Sequence, residues 1–217
     1  MTLQLSEIHQ RHVATLRSLP AIVDSEGLRI GSQYVMFFAE ADLMRLHATG
    51  LTDGSSSSDV LEIGLGLGVF AEQLATTSVG SYTAVEPHDG VARLTHRRVL
   101  TRLGGRATVL TEPWQVLNLP ADGFDAIMYD TWPPDGHANA DFAQFVEQVA
   151  VPCLRPGGRF SFFHSGNVLD PVRRRVLDRH FATWEARPYT LPANETPAHW
   201  TKPTRDFLVP IATKRGA

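Results

Sequence analysis

One stretch constrains this chain more than any other: Val60-Leu61-Glu62-Ile63-Gly64-Leu65-Gly66-Leu67-Gly68. A short apolar run that ends in three alternating glycines and passes into Val69 and Phe70 reads as a β-strand, a glycine turn and the start of a helix. Glycine lets the backbone come close to a ligand, and a helix start offers free N–H groups, so this is a nucleotide-type site. Two patterns compete for it. A dinucleotide fold requires Gly-x-Gly-x-x-Gly; counted from Gly64, the third glycine falls on Val69. None of the four tyrosines has a lysine four residues on, so the Tyr-x-x-x-Lys pair of a short-chain dehydrogenase is absent.

Glu62, two residues before the first glycine, is no part of the dinucleotide pattern. Methyltransferases that use S-adenosylmethionine usually carry an acidic residue there, which helps to fix the glycine loop or the methionine end of the cofactor. A second carboxylate, Glu86, stands at the end of the next apolar run, Tyr82–Val85. That position suits hydrogen bonds to both ribose hydroxyls. Trp114 follows a third run, Ala107–Leu110, where it can line an adenine pocket or serve as core.

The rest of the chain alternates in the same sense. Helical patterns are expected over residues 70–75, 91–103, 142–154 and from Asp170-Pro171 to about His180, where an N-cap aspartate precedes a proline at the first helical position. Strands are expected at Phe124–Tyr129, Arg159–Phe163 and Phe207–Ala212, with Pro156-Gly157-Gly158 as the turn before Arg159. Strands alternating with helices imply an α/β fold: a doubly wound, mostly parallel sheet of the Rossmann-like class I methyltransferase type, with seven strands. Before it, residues 6–18 carry a weak helical pattern and residues 34–48 a stronger one. Asp53–Ser58 has the composition of a flexible linker. The expected layout is one domain over 1–217, with a helical lid at 1–52 and the core at 59–217.

Composition narrows the partners. Twenty Lys and Arg stand against 23 Asp and Glu, a net charge of −3, which offers no electrostatic attraction to nucleic acid or an anionic membrane. The lone Cys153 permits neither an internal disulfide nor a thiolate metal site, and no metal is expected from His88, His137, His164 and His199, which lack ligand spacing. The first residues have no basic flank or apolar run, and no stretch reaches membrane-spanning length, so the expectation is a cytoplasmic protein acting on a small molecule. The oligomeric state is left open.

The loop Tyr129-Asp130-Thr131-Trp132-Pro133-Pro134 follows the fourth strand of the core. Ligands of open α/β sheets sit at the carboxyl ends of strands, which puts Asp130 beside the reacting methyl group. An acidic residue there points to a basic nitrogen as acceptor.

The segment Phe124-Asp125-Ala126-Ile127-Met128-Tyr129-Asp130-Thr131-Trp132-Pro133 resembles guanidinoacetate N-methyltransferase. So does Val35-Met36-Phe37-Phe38-Ala39-Glu40-Ala41-Asp42-Leu43-Met44, as do the glycine loop, Glu86-Pro87-His88-Asp89-Gly90-Val91, Trp114 and the tail Pro210–Lys214. The resemblance spans roughly residues 28–214. It implies that Glu40 and Asp130 hold a guanidinium and carry the catalysis. It places Met36, Met44, Glu62, Gly64, Leu65, Gly66, Leu67, Gly68, Val69, Phe70, Glu86, Pro87, His88, Trp114 and Asp130 around S-adenosylmethionine, which leaves as S-adenosylhomocysteine. A guanidinium is planar and forked, so carboxylates can bind it in paired hydrogen bonds. Its pKa lies above ~12, so its nitrogens are poor nucleophiles until a proton leaves, and a carboxylate in a closed pocket can accept that proton.

The chain departs from the family at the far end of the site. Phe37-Phe38-Ala39 stands where the family has Glu-Arg-Trp before the glutamate. His164-Ser165-Gly166-Asn167 stands where the family has a Thr-Ser pair that meets the acceptor's carboxylate. Thr131, His164, Ser165 and Gly166 are therefore candidate acceptor contacts, and arginine or an arginine-derived natural-product intermediate is expected alongside guanidinoacetate. A protein arginine methyltransferase and a non-catalytic cofactor-binding module are the alternatives; retention of Glu62, Glu86 and Asp130 weighs against the second.

Overall fold

The computed structural model describes residues 5–77 and 79–216. It opens with helix α1 (Glu7–Ser18), as the weak apolar pattern predicts. Strands β1 (Ala21–Val23), β2 (Gly27–Ile30) and β3 (Gln33–Phe37) then form a small antiparallel sheet. The predicted helix over 34–48 is thus corrected at its start. A single helical turn, Phe38–Glu40, leads into α2 (Ala41–Thr52). The physical reason is local: Tyr34, Val35 and Phe37 are aromatic or β-branched, and their unbroken apolar run suits either period. Pairing with β2 decides it, at a distance only glycine allows: a Cβ on Gly27 would lie 2.1 Å from the Met36 carbonyl.

The core sheet follows the expected alternation. Its elements are β4 (Ser58–Ile63), α3 (Val69–Leu74), β5 (Val79–Val85), α4 (Asp89–Arg98), β6 (Ala107–Leu110) and β7 (Phe124–Tyr129). Next come α5 (Ala138–Phe145), a wider π turn at Val146–Ala150, and α6 (Val151–Cys153). Pro152 has no N–H for the carbonyl one turn back, which accounts for the widening. The chain ends in β8 (Leu154–Phe162), β9 (His164–Ser165), α7 (Pro171–His180), β10 (Thr183–Thr190) and β11 (Asp206–Thr213). Asp170 caps α7 as predicted, accepting from the N–H groups of Val172 and Arg173.

Strand order is β10-β11-β8-β7-β4-β5-β6, with β9 added beside β11. The five strands from β8 to β6 are parallel, and β11 is antiparallel to both neighbours. This is the doubly wound α/β sheet expected from the sequence. Alternation along each strand divides the core. Val60, Ala126 and Met128 face one apolar cluster with α2, α3 and Val91 of α4; Leu61, Ile63, Ile127 and Tyr129 face the other with Phe142, Phe145 and Leu177. Helix α2 therefore belongs to the core layer, and the part of the N-terminal segment that lines the site lies before it.

Three details differ from expectation. Ser58 is buried as the first residue of β4, so the linker composition stops at Ser57. Pro156-Gly157-Gly158 lies within the span of β8, as a bulge where the register with β7 shifts and Gly157 takes φ +78°. Strand β10 has no helical or strongly apolar signature; it is an edge strand with alternating exposure, where Pro188 is tolerated. Among the described residues, no helix is long and apolar enough to cross a membrane.

Candidate active site

The carboxyl ends of five adjacent strands, β8-β7-β4-β5-β6, are tied together beyond the sheet proper. Gly64 N–H donates to Val85 O (2.9 Å), Glu86 N–H to Leu110 O (2.9 Å), Asp130 N–H to Ile63 O (2.8 Å) and Phe163 N–H to Tyr129 O (3.0 Å). Each residue that leaves the sheet is thus held in register with its neighbour. Gly64 has φ +91°, and a Cβ there would lie 1.7 Å from the Asp130 carbonyl oxygen. The first glycine of the motif is therefore required by the crossing of two chain segments as well as by its backbone angle.

Glu86 is buried, and both its oxygens are occupied by the backbone. Oε2 accepts from Gly66 N–H (3.1 Å) and Oε1 from His88 N–H (2.9 Å). Burial raises its pKa, while those two hydrogen bonds oppose the rise. The carboxylate is oriented while its remaining lone pairs stay free. Glu62 is different. It is buried one strand away, accepts from Tyr82 O–H, and burial together with the charges of Asp130 and Glu86 raises its pKa well above the usual range. Glu62 is thereby pushed toward its neutral form, which leaves Glu86 and Asp130 as the carboxyl groups at these strand ends that favour a cationic ligand.

Above these ends lies a cavity of about 380 Å³, in the range of small-molecule and cofactor sites. Gly64, Gly66, Glu86, Pro87, His88 and Trp114 form one wall, Asp130, Thr131 and Trp132 the next, and Met36 with residues of α1 the cover. Trp114 is 5% exposed and packs edge-on against Phe145, with ring centres 5.2 Å apart. A glycine-lined floor, an oriented carboxylate and a flat aromatic wall fit a nucleoside with two ribose hydroxyls. His88 is fixed by the fold: its Nδ1 accepts from Gly90 and Val91 N–H at the start of α4, so Nε2 carries the proton and donates to Leu19 O (3.0 Å).

The remaining predicted cofactor contacts do not reach the cavity wall. Met44, Leu65, Leu67, Val69 and Phe70 are packed in the apolar core, Gly68 lies against Thr95, and Glu62 is sealed behind the sheet end. His164 is also turned away. Its Nε2 bonds to Val168 O (2.9 Å), and its ring meets the edge of Phe162. Ser165 is held in β9 opposite Phe207, and Gly166 N–H donates to Asp206 O. Neither lines the cavity.

At the other end of the cavity Asp130 is half-buried in the cavity wall, and its carboxyl pKa is pushed up to about 7. Burial is the main cause; the Lys202 charge lowers it, Glu40 raises it and Arg173 lowers it. Glu40 is 2% exposed. One oxygen, Oε2, accepts from Phe37 N–H (2.9 Å), closing the turn that precedes α2. The other, Oε1, is buried and has no hydrogen-bond partner among the described residues. It does have a charged neighbour: Lys202 Nζ lies 2.9 Å away, an ion pair without hydrogen-bond alignment. Glu40 does not line the cavity, whereas Lys202 does. The ammonium also sits 4.3 Å from the centre of the Phe163 ring.

Lys202 was not singled out from sequence. It lies in the loop Trp200-Thr201-Lys202-Pro203, without periodicity or motif, and only the need of a buried glutamate for a counter-ion pointed to some cation.

Helix α1 is fastened over the cavity by polar contacts. His12 Nε2 bonds to Trp132 O (2.8 Å), Arg17 donates to Pro87 O and Thr111 O, and His9 Nε2 meets both oxygens of Asp141 at 2.9 and 3.0 Å. With His137, that last pair forms a group whose ligand atoms lie within 4.8 Å of one another.

A model of the guanidinoacetate N-methyltransferase family matches residues 22–175, more than two thirds of the chain. Among solved structures, the N-methyltransferase NodS from Bradyrhizobium japonicum is 14% identical, with a TM-score of 0.64 over 82% of this chain and 97% of that one. Its complex with S-adenosyl-L-homocysteine is 16% identical, with a TM-score of 0.59 over 81% and 87%. An S-adenosylmethionine-dependent O-methyltransferase from Thermotoga maritima is 16% identical, with a TM-score of 0.59 over 93% and 88%. At such identities the solved structures share the fold.

Proposed function

The chain belongs to the guanidinoacetate N-methyltransferase family and uses S-adenosylmethionine as its methyl donor; from that premise we propose that its acceptor is the guanidino nitrogen of a small molecule, such as arginine, guanidinoacetate or an arginine-derived intermediate. The observation that carries the proposal is the pair of carboxylates, half-buried Asp130 and buried Glu40. They are close enough for one charge to raise the pKa of the other, and Oε1 of Glu40 has no hydrogen-bond donor. Asp130 in the cavity wall and Glu40 just behind it, screened by Lys202, offer two carboxylates to a flat, forked cation.

In this assignment Glu86 holds the ribose hydroxyls, Trp114 the adenine, and Gly64, Gly66 and Met36 the remaining cofactor wall. When bound, the cofactor supplies a methyl group on a positively charged sulfur. Asp130 does the proton work. A guanidinium nitrogen that gains a methyl group has one proton to lose, and the ionised Asp130 carboxyl lines the cavity and is basic enough near neutral pH to take it. Glu40, anchored through Oε2 to the Phe37 N–H, orients the guanidinium with Oε1. The wall of Thr131 and Trp132 excludes water from the reacting end.

A methyl-transfer screen with labelled S-adenosylmethionine tests this directly. Arginine, guanidinoacetate, agmatine, guanidino natural products and an arginine-rich peptide are offered as acceptors, with simple amines as controls. The expected result is turnover of at least one free guanidine. Turnover confined to amines or to the peptide removes the small guanidine as substrate.

A further inference from the structure

Resting on the guanidino assignment above, we propose that Lys202 is the selectivity residue of the acceptor site. A guanidinium displaces its ammonium from Glu40, and the freed ammonium then holds a carboxylate carried by the same acceptor.

The premise is competition between two cations for one oxygen. Lys202 Nζ stands 2.9 Å from Oε1 of Glu40, and among the described residues that oxygen has no hydrogen-bond partner. Lys202 lines the cavity while Glu40 lies behind it, so a guanidinium reaches Glu40 only by taking the place of the ammonium. The contact is an ion pair without hydrogen-bond alignment, whereas a guanidinium N–H can be directed at a carboxylate oxygen. Exchange therefore favours the guanidinium at Glu40.

The displaced ammonium cannot remain without a partner. The side chain of Lys202 is only 18% exposed, and a largely buried charge that loses its counter-ion is strongly disfavoured. Asp130 is the other carboxylate whose charge Lys202 influences. Asp130 is engaged with the same guanidinium and becomes neutral once it has taken the proton. The anion left to satisfy Lys202 is one that arrives with the acceptor. Phe163 supports the exchange, because its ring lies 4.3 Å from Nζ and can hold the ammonium between its two partners. An acceptor with a guanidinium at one end and a carboxylate at the other fills both positions. A guanidine without an acid group leaves one ammonium unpaired.

The test compares acceptors that differ in the acid alone: arginine against agmatine and arginine methyl ester, and guanidinoacetate against its amide. With the wild-type enzyme, the acid form is expected to lead in kcat/KM by about 10- to 100-fold, the scale of one charge-assisted hydrogen bond. In Lys202→Met the lead should vanish in a particular way. KM for the acid rises, because its partner is gone, and KM for agmatine falls, because nothing competes for Glu40. Lys202→Arg should restore the lead. A residue that only supports the fold would move both acceptors in one direction. An unchanged acid-to-amide ratio in Lys202→Met overturns the proposal. If that variant does not fold, equal use of arginine and its methyl ester by the wild type overturns it as well. Methylation of guanidines without preference for the acid thus sinks this inference alone, whereas no turnover of any guanidine sinks the guanidino assignment and this inference with it.

Discussion

The raised pKa of the Asp130 carboxyl makes the acid limb of the pH profile the sharpest test of the site. Its pKa is pushed up to about 7, chiefly by burial, against an ordinary value of 3.8. Only the ionised form can accept a proton from the acceptor nitrogen. The guanidinium itself stays charged across the whole range, since its pKa lies above ~12. One carboxyl therefore sets the limb. With a midpoint near 7, roughly one Asp130 in eleven is ionised at pH 6 and about one in a hundred at pH 5, so kcat/KM for the acceptor should fall about 10-fold and then about 100-fold below its plateau. The neighbours fix the direction of two further shifts. Lys202 lowers the Asp130 pKa, so Lys202→Met should move the limb to higher pH. Glu40 raises it, so Glu40→Gln should move the limb to lower pH. Steady-state kinetics from pH 5 to 9 at saturating S-adenosylmethionine measures the limb, and binding of S-adenosylhomocysteine over the same range separates it from titration of Glu86. Asp130→Asn should lower kcat by about 10²- to 10⁴-fold while cofactor affinity changes little. A flat profile between pH 5.5 and 8, or an Asp130→Asn enzyme within tenfold of wild type, refutes the role of Asp130 as the proton acceptor.

Three other substitutions probe the scaffold and the cofactor wall. Gly64→Ala puts a Cβ 1.7 Å from the Asp130 carbonyl at φ +91°, and should destabilise the protein by about 3 kcal/mol or more in denaturant unfolding; a loss below about 1 kcal/mol would mean the strand ends part easily. Glu86→Gln forces an amide nitrogen against the Gly66 or the His88 N–H, and should weaken S-adenosylhomocysteine binding by about 10- to 100-fold in calorimetry; unchanged affinity would remove Glu86 from the ribose position. His47 is fully buried, bonded through Nδ1 to Ser161 Oγ at 2.6 Å, and burial lowers its pKa to about 3. The unfolded chain titrates near the ordinary 6.5, so between these values protons favour unfolding. The contribution of a neutral His47 is complete above about pH 6.5 and is lost as the pH falls toward 3, by about 2 kcal/mol at pH 5. His47→Leu should remove that part of the acid slope, and identical slopes for both proteins would show that His47 does not cause it.

The glycine loop, Glu86, Trp114 and Asp130 were legible in the sequence because each depends on position along a local pattern. A strand of period two followed by a tight turn places its next residue at the sheet's carboxyl edge, whatever the rest of the chain does. The same locality misled at the N-terminus. Val35 to Phe38 is an unbroken apolar run, which fits a helix face as well as a strand, and only the approach of Gly27 to the Met36 carbonyl selects the strand. His164 and Ser165 follow β8 in sequence as Asp130 follows β7. The short β9, which pairs them with Leu208 and Phe207, turns them from the cavity. Met44 sits four residues after Glu40 on a helix that is core packing rather than cover.

By itself, then, the amino-acid sequence determined the class of the protein: alternating strands and helices, a glycine turn that departs from the dinucleotide pattern, and carboxylates at or near the ends of three core strands. Those features are short-range, and their periodicity carries them. The tertiary structure decided the chemistry at the acceptor end. Glu40 and Lys202 come from opposite ends of the chain, and their 2.9 Å ion pair exists because the end of β3 and the loop before β11 pack together, Phe37 against Trp200 with ring centres 4.9 Å apart. The value of about 7 for Asp130 likewise comes from burial among distant charges, which no local pattern encodes. Long-range burial and pairing are properties of the packed chain, and they turn a legible cofactor fold into a site with a specific demand on its acceptor.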